Sequence, residues 1–227
     1  MLDKHLIAKT EPAALQENMV VRKDVRITVL GSRLFRIEQQ PEGHFCDQAT
    51  QTVWFRRAGQ TAFSVSEEQE GAKLVIATDS VTLVWTGSVE ESYVVFAGQE
   101  EKCFLNNREN LLGTYRTLDC CDGDQFVCFD RDGQPREKIT LGYGVASRDG
   151  VALLDDSQSL VLREDGMLER RGYSEKDDYV FAYGKDYRGA LKALFAICGK
   201  TPLIPRFALG NWWSRYHAYT EKEYLHT

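Results

Sequence analysis

The sequence predicts an all-β chain, an antiparallel β-sandwich followed by one helix and one further strand. From about residue 20 to 184, short runs rich in β-branched and aromatic residues alternate with turn residues. Many short strands with tight turns are typical of sandwiches and barrels rather than of βαβ units. Asp-Gly pairs, which favour tight turns with positive φ at both central residues, occur at 122–123, 132–133, 149–150 and 165–166.

The first predicted strands follow from side-chain periodicity and composition. Residues 25–29 (VRITV) alternate apolar and polar side chains, which predicts a strand with one buried face. Residues 50–57 and 73–85 are rich in β-branched and aromatic residues, and Asp79-Ser80 predicts a turn that divides the second run into a hairpin. Two further runs continue the series, 92–97 and 125–129.

The pattern becomes helical after Tyr183. Apolar residues recur at helical spacing from Tyr187 to Cys198, and Gly199 follows where a helix C-cap is expected. The predicted apolar positions are Tyr187, Ala190, Leu191, Leu194, Phe195 and Cys198.

The last part of the chain predicts an extended segment, a strand and a second helix. Pro202 and Pro205 favour extended backbone, and residues 207–216 (FALGNWWSRY) predict a buried strand. Thr220 and Glu223 stand at the spacing of a capping box, which predicts a helix start.

Composition and charge narrow the class of partner. The 227 residues carry 43% hydrophobic side chains and a net charge of −6, which favours a globular core and disfavours nucleic acid as a partner. Because the sequence shows no signal peptide and no run of membrane-spanning length, we expect a cytoplasmic protein that has no membrane partner. The six cysteines are expected to be ordinary thiols.

Several kinds of catalytic and metal site are excluded by their motifs. The sequence has no nucleophile elbow, no P-loop, no dinucleotide fingerprint and no HExxH, and we expect neither metal nor cofactor. The acidic residues from Asp122 to Asp132 lack the spacing of a calcium loop. Asp155 and Asp156 are neighbours on a predicted strand, so their side chains should point to opposite faces and serve structure.

Three stretches, in order, resemble glycoside hydrolase family 31, the α-glucosidase and α-xylosidase group. Residues 25–53 resemble that family's opening strands, and residues 109–119 (ENLLGTYRTLD) with residues 147–157 (SRDGVALLDDS) are similar to two of its motifs. Residues 205–219 are similar to the passage into the first strand of its catalytic barrel. The chain departs from the family at Leu112 and Val151, where Gly and Trp are common.

The resemblance implies a galactose-mutarotase-like sandwich, a supersandwich, in front of a (β/α)₈ barrel that starts here with its first strand and is truncated. It assigns residues 1–184 to the sandwich, 185–204 to the helix and linker, and 205–227 to the barrel start. The whole enzyme would be a retaining α-glycosidase acting on an α-linked sugar. Since the family's catalytic Asp motifs are not found, this polypeptide is expected to be inactive.

The resemblance also implies two sugar-binding residues. Asp119, with Asp122 as the alternative, matches the acidic residue that a sandwich loop supplies to the terminal sugar subsite. Tyr216 matches an aromatic residue at the end of the first barrel strand, and aromatic rings stack on sugar C–H faces. We expect no catalytic residue within these 227.

Two other readings remain open from the sequence. One is a stand-alone carbohydrate-binding or interaction module. The other is an aldose mutarotase, disfavoured because His44 is the only histidine in the predicted sandwich strands. A truncated barrel strand would expose Trp212 and Trp213 or place them in an interface with another molecule, which predicts self-association or poor solubility unless this segment folds back on the sandwich.

Overall fold

The structure is a computed structural model that describes residues 3, 5, 7–68, 72–112, 121–122, 125–129, 131–172, 176–201, 203–211 and 217–226. The secondary structure is mostly antiparallel β, and helices are few. The strands, in chain order, are β1 (Met19–Arg22), β2 (Val25–Gly31), β3 (Leu34–Gln39), β4 (Ser64–Glu68), β5 (Lys73–Ala77), β6 (Val81–Trp85), β7 (Tyr93–Phe96), β8 (Lys102–Phe104), β9 (Cys121–Asp122), β10 (Gln125–Phe129), β11 (Pro135–Thr140), β12 (Val151–Asp155), β13 (Val161–Leu162), β14 (Leu168–Glu169) and β15 (Lys176–Ala182).

Two five-stranded sheets share one hydrophobic core, as in a β-sandwich. The first sheet has the order β1-β2-β3-β15-β12, and the second has the order β4-β5-β6-β7-β8. The core residues come from the facing sides of both sheets, among them Ile27, Phe35, Ile76, Leu83 and Val180. Burial of alternate side chains from each strand is what an aligned pair of sheets requires. The other strands form a three-stranded sheet, β11-β10-β9, and the hairpin β13-β14.

The first sheet is buried on both faces, so the prediction of one buried face for residues 25–29 is wrong. Arg26 and Thr28, which alternate with the core residues of β2, are buried as well. A second hydrophobic cluster covers this outer face and includes Val53, Phe181 and residues of a helix. The alternation in the sequence was correct, but loops and the helix shield the polar side from water.

The helix α1 (Tyr187–Cys198) confirms the predicted element and its ends. The Asp186 carboxylate accepts a hydrogen bond from the backbone N–H of Gly189 at 2.9 Å, and Gly199 follows with φ +98°. A Cβ at Gly199 would lie 3.1 Å from the Phe55 ring, so both conformation and space favour glycine there.

The buried face of α1 is shifted from the predicted apolar positions, which did not include Ala193 and Ile197. Ala190, Ala193 and Ile197 are buried against the first sheet, whereas Leu191 and Phe195 are 47% and 46% exposed. Small side chains at the contact allow the helix to approach the sheet closely. The larger apolar side chains therefore lie at the margin of the interface and not in it.

The hairpin predicted at residues 73–85 is confirmed, with β5 and β6 on either side of Asp79 and Ser80. The strands expected at 92–97 and 125–129 correspond to β7 and β10. The expected turn geometry is wrong at the three Asp-Gly pairs that the structure describes. Only the glycines, Gly133, Gly150 and Gly166, have positive φ. A single left-handed residue is typical of a turn that ends in a bulge rather than of a two-residue type I′ turn.

Residues 50–57 do not form the predicted strand. Within the part of the chain that the structure describes, their ladder contacts are two isolated bridges, Thr50 with Val161 and Phe55 with Glu11. The backbone N–H groups of Trp54 and Phe55 instead donate to the carbonyl of Ile197 in the last turn of α1, both at 2.9 Å. The apolar side chains of this segment cover the first sheet, which explains their strand-like composition without a strand.

The last part of the chain matches the prediction in one of two elements. The helix α2 (Glu221–Tyr224) begins with the predicted capping box between Thr220 and Glu223. The predicted buried strand is wrong at its start, since Arg206–Leu209 forms an exposed 3₁₀ turn. Residues 212–216, with Trp212 and Trp213, lie outside the described residues.

Candidate functional site

The predicted sugar-binding residues fall largely outside the described structure. Asp119 and Tyr216 lie outside the described residues, and the alternative, Asp122, lies in β9 opposite Gln125 of β10. Their proximity therefore stays a prediction. His44 lies in the loop after β3, exposed, with Nδ1 3.5 Å from a carboxylate oxygen of Glu42, so the description of it as a strand residue is wrong.

Asn110 joins the two stretches that resemble family motifs. Its amide nitrogen donates to the carbonyl of Gly144 at 2.8 Å, and its amide oxygen accepts from the N–H groups of Gly144 and Leu112 at 2.9 and 2.8 Å. The backbone of Asn110 forms a bridge with Ser147, at the start of the second motif. Residues 109–112 are thereby fixed to residues 144–148.

Asn107 holds the same segment against the edge of the first sheet. Its amide nitrogen donates to the carbonyl of Leu153 in β12 at 3.3 Å, and its amide oxygen accepts from the N–H of Leu153 at 2.8 Å. The side chain makes the pair of hydrogen bonds that a neighbouring strand would make. Asn107 itself has φ +54°, which asparagine tolerates better than most residues.

A cleft of about 590 Å³ lies beside these segments. One wall comes from β8 and the residues after it, up to Glu109, and the other from residues 148–150 and 184–185. Phe96 lies at its base, with ring atoms 3.3 Å from the position of a Cβ at Gly150; that Cβ would also approach the Gly184 Cα to 2.9 Å. Glycine at 150 therefore allows the close approach of these walls. The volume is in the range of small-molecule sites.

Charged side chains of both signs line the cleft. Four are cationic, namely Lys102, Arg108, Arg148 and Lys185, and three are acidic, namely Glu101, Glu109 and Asp149. Within the described residues, none of the four cations lies within ion-pair distance of a carboxylate. Lys102 lies over the Tyr93 ring at 4.7 Å, and Lys185 donates to the carbonyl of Arg148.

Cys103 also lines the cleft, and its environment disfavours the thiolate. Burial raises the pKa of the Cys103 thiol, Glu101 and Asp149 raise it further, and Lys185 lowers it. A thiol with a raised pKa is a poor nucleophile at neutral pH. The free thiols Cys46, Cys103 and Cys198 agree with the expectation of unpaired cysteines at those positions.

A buried ionic cluster on the outer face of the first sheet was missed by the sequence analysis. Its members are Arg26, Arg36, Glu38, Arg171 and Asp177. Arg26, Glu38 and Asp177 stand directly opposite one another on β2, β3 and β15. Arg36 binds Asp177 through two hydrogen bonds of 2.7 Å, and Arg26 binds Glu38 through two of 2.6 and 2.9 Å.

The pKa values of Asp177 and Arg36 are shifted in the directions that keep both side chains charged. Burial alone would raise the pKa of Asp177, but Arg36, Arg56 and Arg171 lower it below its usual range. Burial opposes the charge of Arg36 too, yet Asp177, Tyr179 and Glu38 raise its pKa well above the usual value. The available signal was the presence of charged residues inside strand-like runs, one in VRITV, two at alternate positions in LFRIEQ and three in succession in KDDYVFA, because charged residues on one face of neighbouring strands pair with one another.

Asp155 ends β12 and Asp156 follows it, and their carboxylates lie in different environments, as expected. Asp155 is exposed and accepts from the backbone N–H of Ser157 at 2.9 Å. Asp156 is buried and accepts from the Thr50 hydroxyl at 2.7 Å. The pair therefore does not converge on one atom.

Comparison of the chain with models of known protein families and with curated proteins gives no match. In the part of the chain that the structure describes, no helix has the length and apolar character needed to cross a bilayer. The same residues contain no group of three or more His, Cys, Asp or Glu side chains suited to a metal ion.

Proposed function

We propose that this chain is the N-terminal portion of a retaining α-glycoside hydrolase similar to family 31. In this proposal the sandwich is of the galactose-mutarotase-like type, and residues 205–227 begin a (β/α)₈ barrel. The sandwich supports the barrel and contributes to one wall of the sugar pocket. The catalytic carboxylates lie downstream, and retention requires them about 5 to 5.5 Å apart.

The observation that supports the proposal is the contact between the two motif-like stretches. Residues 109–112 and 144–148 are distant in sequence, yet two hydrogen bonds of the Asn110 amide to the backbone of Gly144 join them. Backbone hydrogen bonds also join them, from the N–H of Leu111 to the carbonyl of Ala146 at 3.0 Å and from the N–H of Arg148 to the carbonyl of Glu109 at 2.8 Å. A joint role in one structural unit accounts for the resemblance of both stretches to the same family. Asp119 lies seven positions after Leu112 in the sequence.

In the proposed pocket, Asp119 or Asp122 accepts hydrogen bonds from hydroxyl groups of the terminal sugar, and Tyr216 stacks on its ring. A hydrogen bond to a charged acceptor is worth about 1.5 to 3 kcal/mol. These residues orient the sugar, while the cleavage itself depends on the downstream carboxylates.

The test is an assay of the gene product that includes the sequence downstream of Thr227, with aryl α-glucosides and aryl α-xylosides. We expect hydrolysis with retention of the anomeric configuration, observed by NMR, and no hydrolysis by the 227-residue chain alone. Asp119→Asn or Asp122→Asn should lower kcat/KM about ten- to hundredfold. Asp132→Asn, in the neighbouring hairpin loop, is the control. Hydrolysis by the 227 residues alone would refute the proposal.

The cleft on the sandwich supports a second candidate, a stand-alone carbohydrate-binding or interaction module. The cleft is formed by the sandwich alone and contains aromatic and polar groups, including Phe96 and Arg108. Titration calorimetry of the 227-residue chain with maltotetraose separates the candidates. Binding that Arg108→Ala abolishes favours the module, whereas activity confined to the longer product favours the hydrolase.

A further inference from the structure

The edge of the second sheet carries unpaired backbone groups inside the cleft. β8 pairs with β7 so that Cys103 stands opposite Val94, and the N–H of Leu105 donates to the carbonyl of Ser92 at 3.0 Å. Antiparallel strands alternate hydrogen-bonded and non-bonded pairs. Leu105 and Cys103 are therefore bonded to β7, while the N–H and C=O groups of Lys102 and Phe104 point away from it.

No described residue pairs with that edge. β8 is the last strand of its sheet. On the side of β8 that faces away from β7, no backbone hydrogen bond joins Lys102 or Phe104 to a described residue. The neighbouring edge of the first sheet differs, because the Asn107 side chain forms hydrogen bonds with the backbone N–H and C=O groups of Leu153 in β12. Of the two sheet edges beside the cleft, one is covered at its centre and the other is open.

The charges around the open edge favour an anionic partner. Lys102, Arg108, Arg148 and Lys185 line the cleft, and none has a carboxylate partner within the described structure. Among the three acids, Asp149 already accepts a hydrogen bond from the Ser147 hydroxyl at 2.5 Å. The chain as a whole carries a charge of −6, so a cleft with more cations than acids is a local exception.

We infer that the cleft binds an extended acidic peptide segment of a partner protein, which adds as a further strand along β8. Backbone hydrogen bonds to Lys102 and Phe104 would hold the peptide, and the cations beside them would select its acidic side chains. An extended peptide advances about 3.3 Å per residue, so the two outward residues of β8 engage about three of its residues. The inference concerns the sandwich itself and does not depend on the proposed hydrolase activity.

The experiment uses a fluorescein-labelled octapeptide of alternating valine and glutamate and the 227-residue chain. We expect saturable binding by fluorescence anisotropy that weakens several-fold when NaCl rises from about 50 to 500 mM. Hydrogen exchange followed by NMR shows where on the chain the octapeptide binds. The amides of Lys102 and Phe104 should exchange rapidly in the free chain and slow at least tenfold with peptide, whereas that of Cys103 is slow in both.

Two peptide controls separate strand addition from general ionic attraction. The same octapeptide with methylated nitrogens at its four central residues keeps its charge but cannot donate along a ladder. It should bind at least tenfold more weakly. An octapeptide of alternating valine and lysine should not bind.

Two protein variants test the edge directly. Lys102→Gln removes the charge and keeps the N–H, whereas Lys102→Pro removes both, and an outward-facing N–H is a position where an edge strand tolerates proline. The proline variant should bind the acidic octapeptide about three- to tenfold more weakly than the glutamine variant. Lys192→Gln, exposed on α1, is the charge control and should bind normally.

Three results of the peptide experiments would overturn the inference. They are equal binding of the methylated peptide, no binding at millimolar concentration, and protection of amides elsewhere without protection at Lys102 and Phe104. A concentration-dependent dimer in sedimentation that Lys102→Pro abolishes would also overturn it, since a second copy would then occupy the edge. The peptide controls use the unaltered chain, so they decide the matter even where the proline variant unfolds.

Discussion

Asp177 of β15 belongs to the ionic cluster, which also contains charged residues of β2 and β3. It binds Arg36 through both carboxylate oxygens, and Arg171 donates to one of them at 2.9 Å. All three side chains are almost entirely buried. A buried ion pair adds little net stability over apolar packing, but the loss of one member leaves the others charged in a poor solvent.

We therefore expect Asp177→Asn to lower the free energy of unfolding by about 3 to 5 kcal/mol. Urea denaturation followed by circular dichroism measures the change. Asp165→Asn removes one of two carboxylate partners of Arg163, in a partly exposed ion pair, and should cost less than about 1 kcal/mol. Equal effects of the two substitutions would mean that burial does not strengthen the role of Asp177.

Asp178, the next residue, lies on the opposite face of β15, and its pKa is shifted in the opposite direction from that of Asp177. It stands opposite Asp155 across β12 and β15, and the described structure shows no hydrogen bond to its carboxylate. Burial and then Asp155 raise the pKa of Asp178 to about 7, Lys176 lowers it, and Asp177 and Glu90 raise it. The native chain thus keeps a proton near neutrality that the unfolded chain has released above about pH 4.

This raised pKa predicts a pH dependence of stability. The contribution of the proton is complete below about pH 4 and is lost as the pH rises towards 7, because only the native state holds it in that interval. Asp178→Asn, which resembles the neutral acid, should abolish that part of the slope and stabilise the chain by about 1 to 3 kcal/mol at pH 8. Urea titrations between pH 5 and 8 give the slope. Asp24→Asn, an exposed turn residue, should leave it unchanged, and a variant slope parallel to that of the wild type would contradict the prediction.

Elements whose ends depend on nearby residues were predictable from the sequence. The β5-β6 hairpin, the limits of α1 and the capping box at Thr220 all rest on residues within a few positions of one another. The burial of Arg26 and Arg36 was not predictable in this way, because loops and a helix distant in sequence cover them. The buried face of α1 was missed for the same reason, since residues distant in sequence determine that Ala190 and Ala193 pack against the sheet.

At the edge of β12, the Asn107 side chain takes the place of a neighbouring strand. Asn107→Gly removes the amide that pairs with Leu153 while it allows the positive φ. The loss therefore reports the two hydrogen bonds to Leu153 together with the one that the Asn107 amide oxygen accepts from the Asn110 amide nitrogen at 3.1 Å. We expect a cost of about 1 to 3 kcal/mol in the free energy of unfolding, measured with urea. Asn106→Gly, the exposed neighbour, is the matched control and should cost about 1 kcal/mol or less. Similar losses in both variants would show that the amide contributes nothing beyond backbone entropy.

At the scale of the whole molecule, the most exposed of the large apolar side chains that the structure describes come after α1. Leu203, Ile204, Phe207 and Leu209 are 98%, 57%, 77% and 72% exposed. Contiguous apolar surface favours association. The sequence indicated association through Trp212 and Trp213, and the described residues just before them support the same expectation independently.

We predict that the 227-residue chain self-associates at micromolar concentrations. The double variant Leu203→Ser with Phe207→Ser should shift sedimentation velocity profiles towards monomer. Leu168→Ser, an exposed apolar residue in β14, should not. A monomeric wild-type chain at all concentrations would contradict this prediction.

The pairing of β3 with β15 has a consequence for synthesis of the chain on the ribosome. Arg36 and Asp177 are 141 residues apart, and β3 lies between β2 and β15 in its sheet. At about 5 to 20 residues per second, β15 is made roughly 7 to 28 seconds after β3. During that interval the growing polypeptide presents a free strand edge at β3, and Arg36 lacks Asp177 and has only Glu38 of its own strand as a carboxylate partner within the ionic cluster.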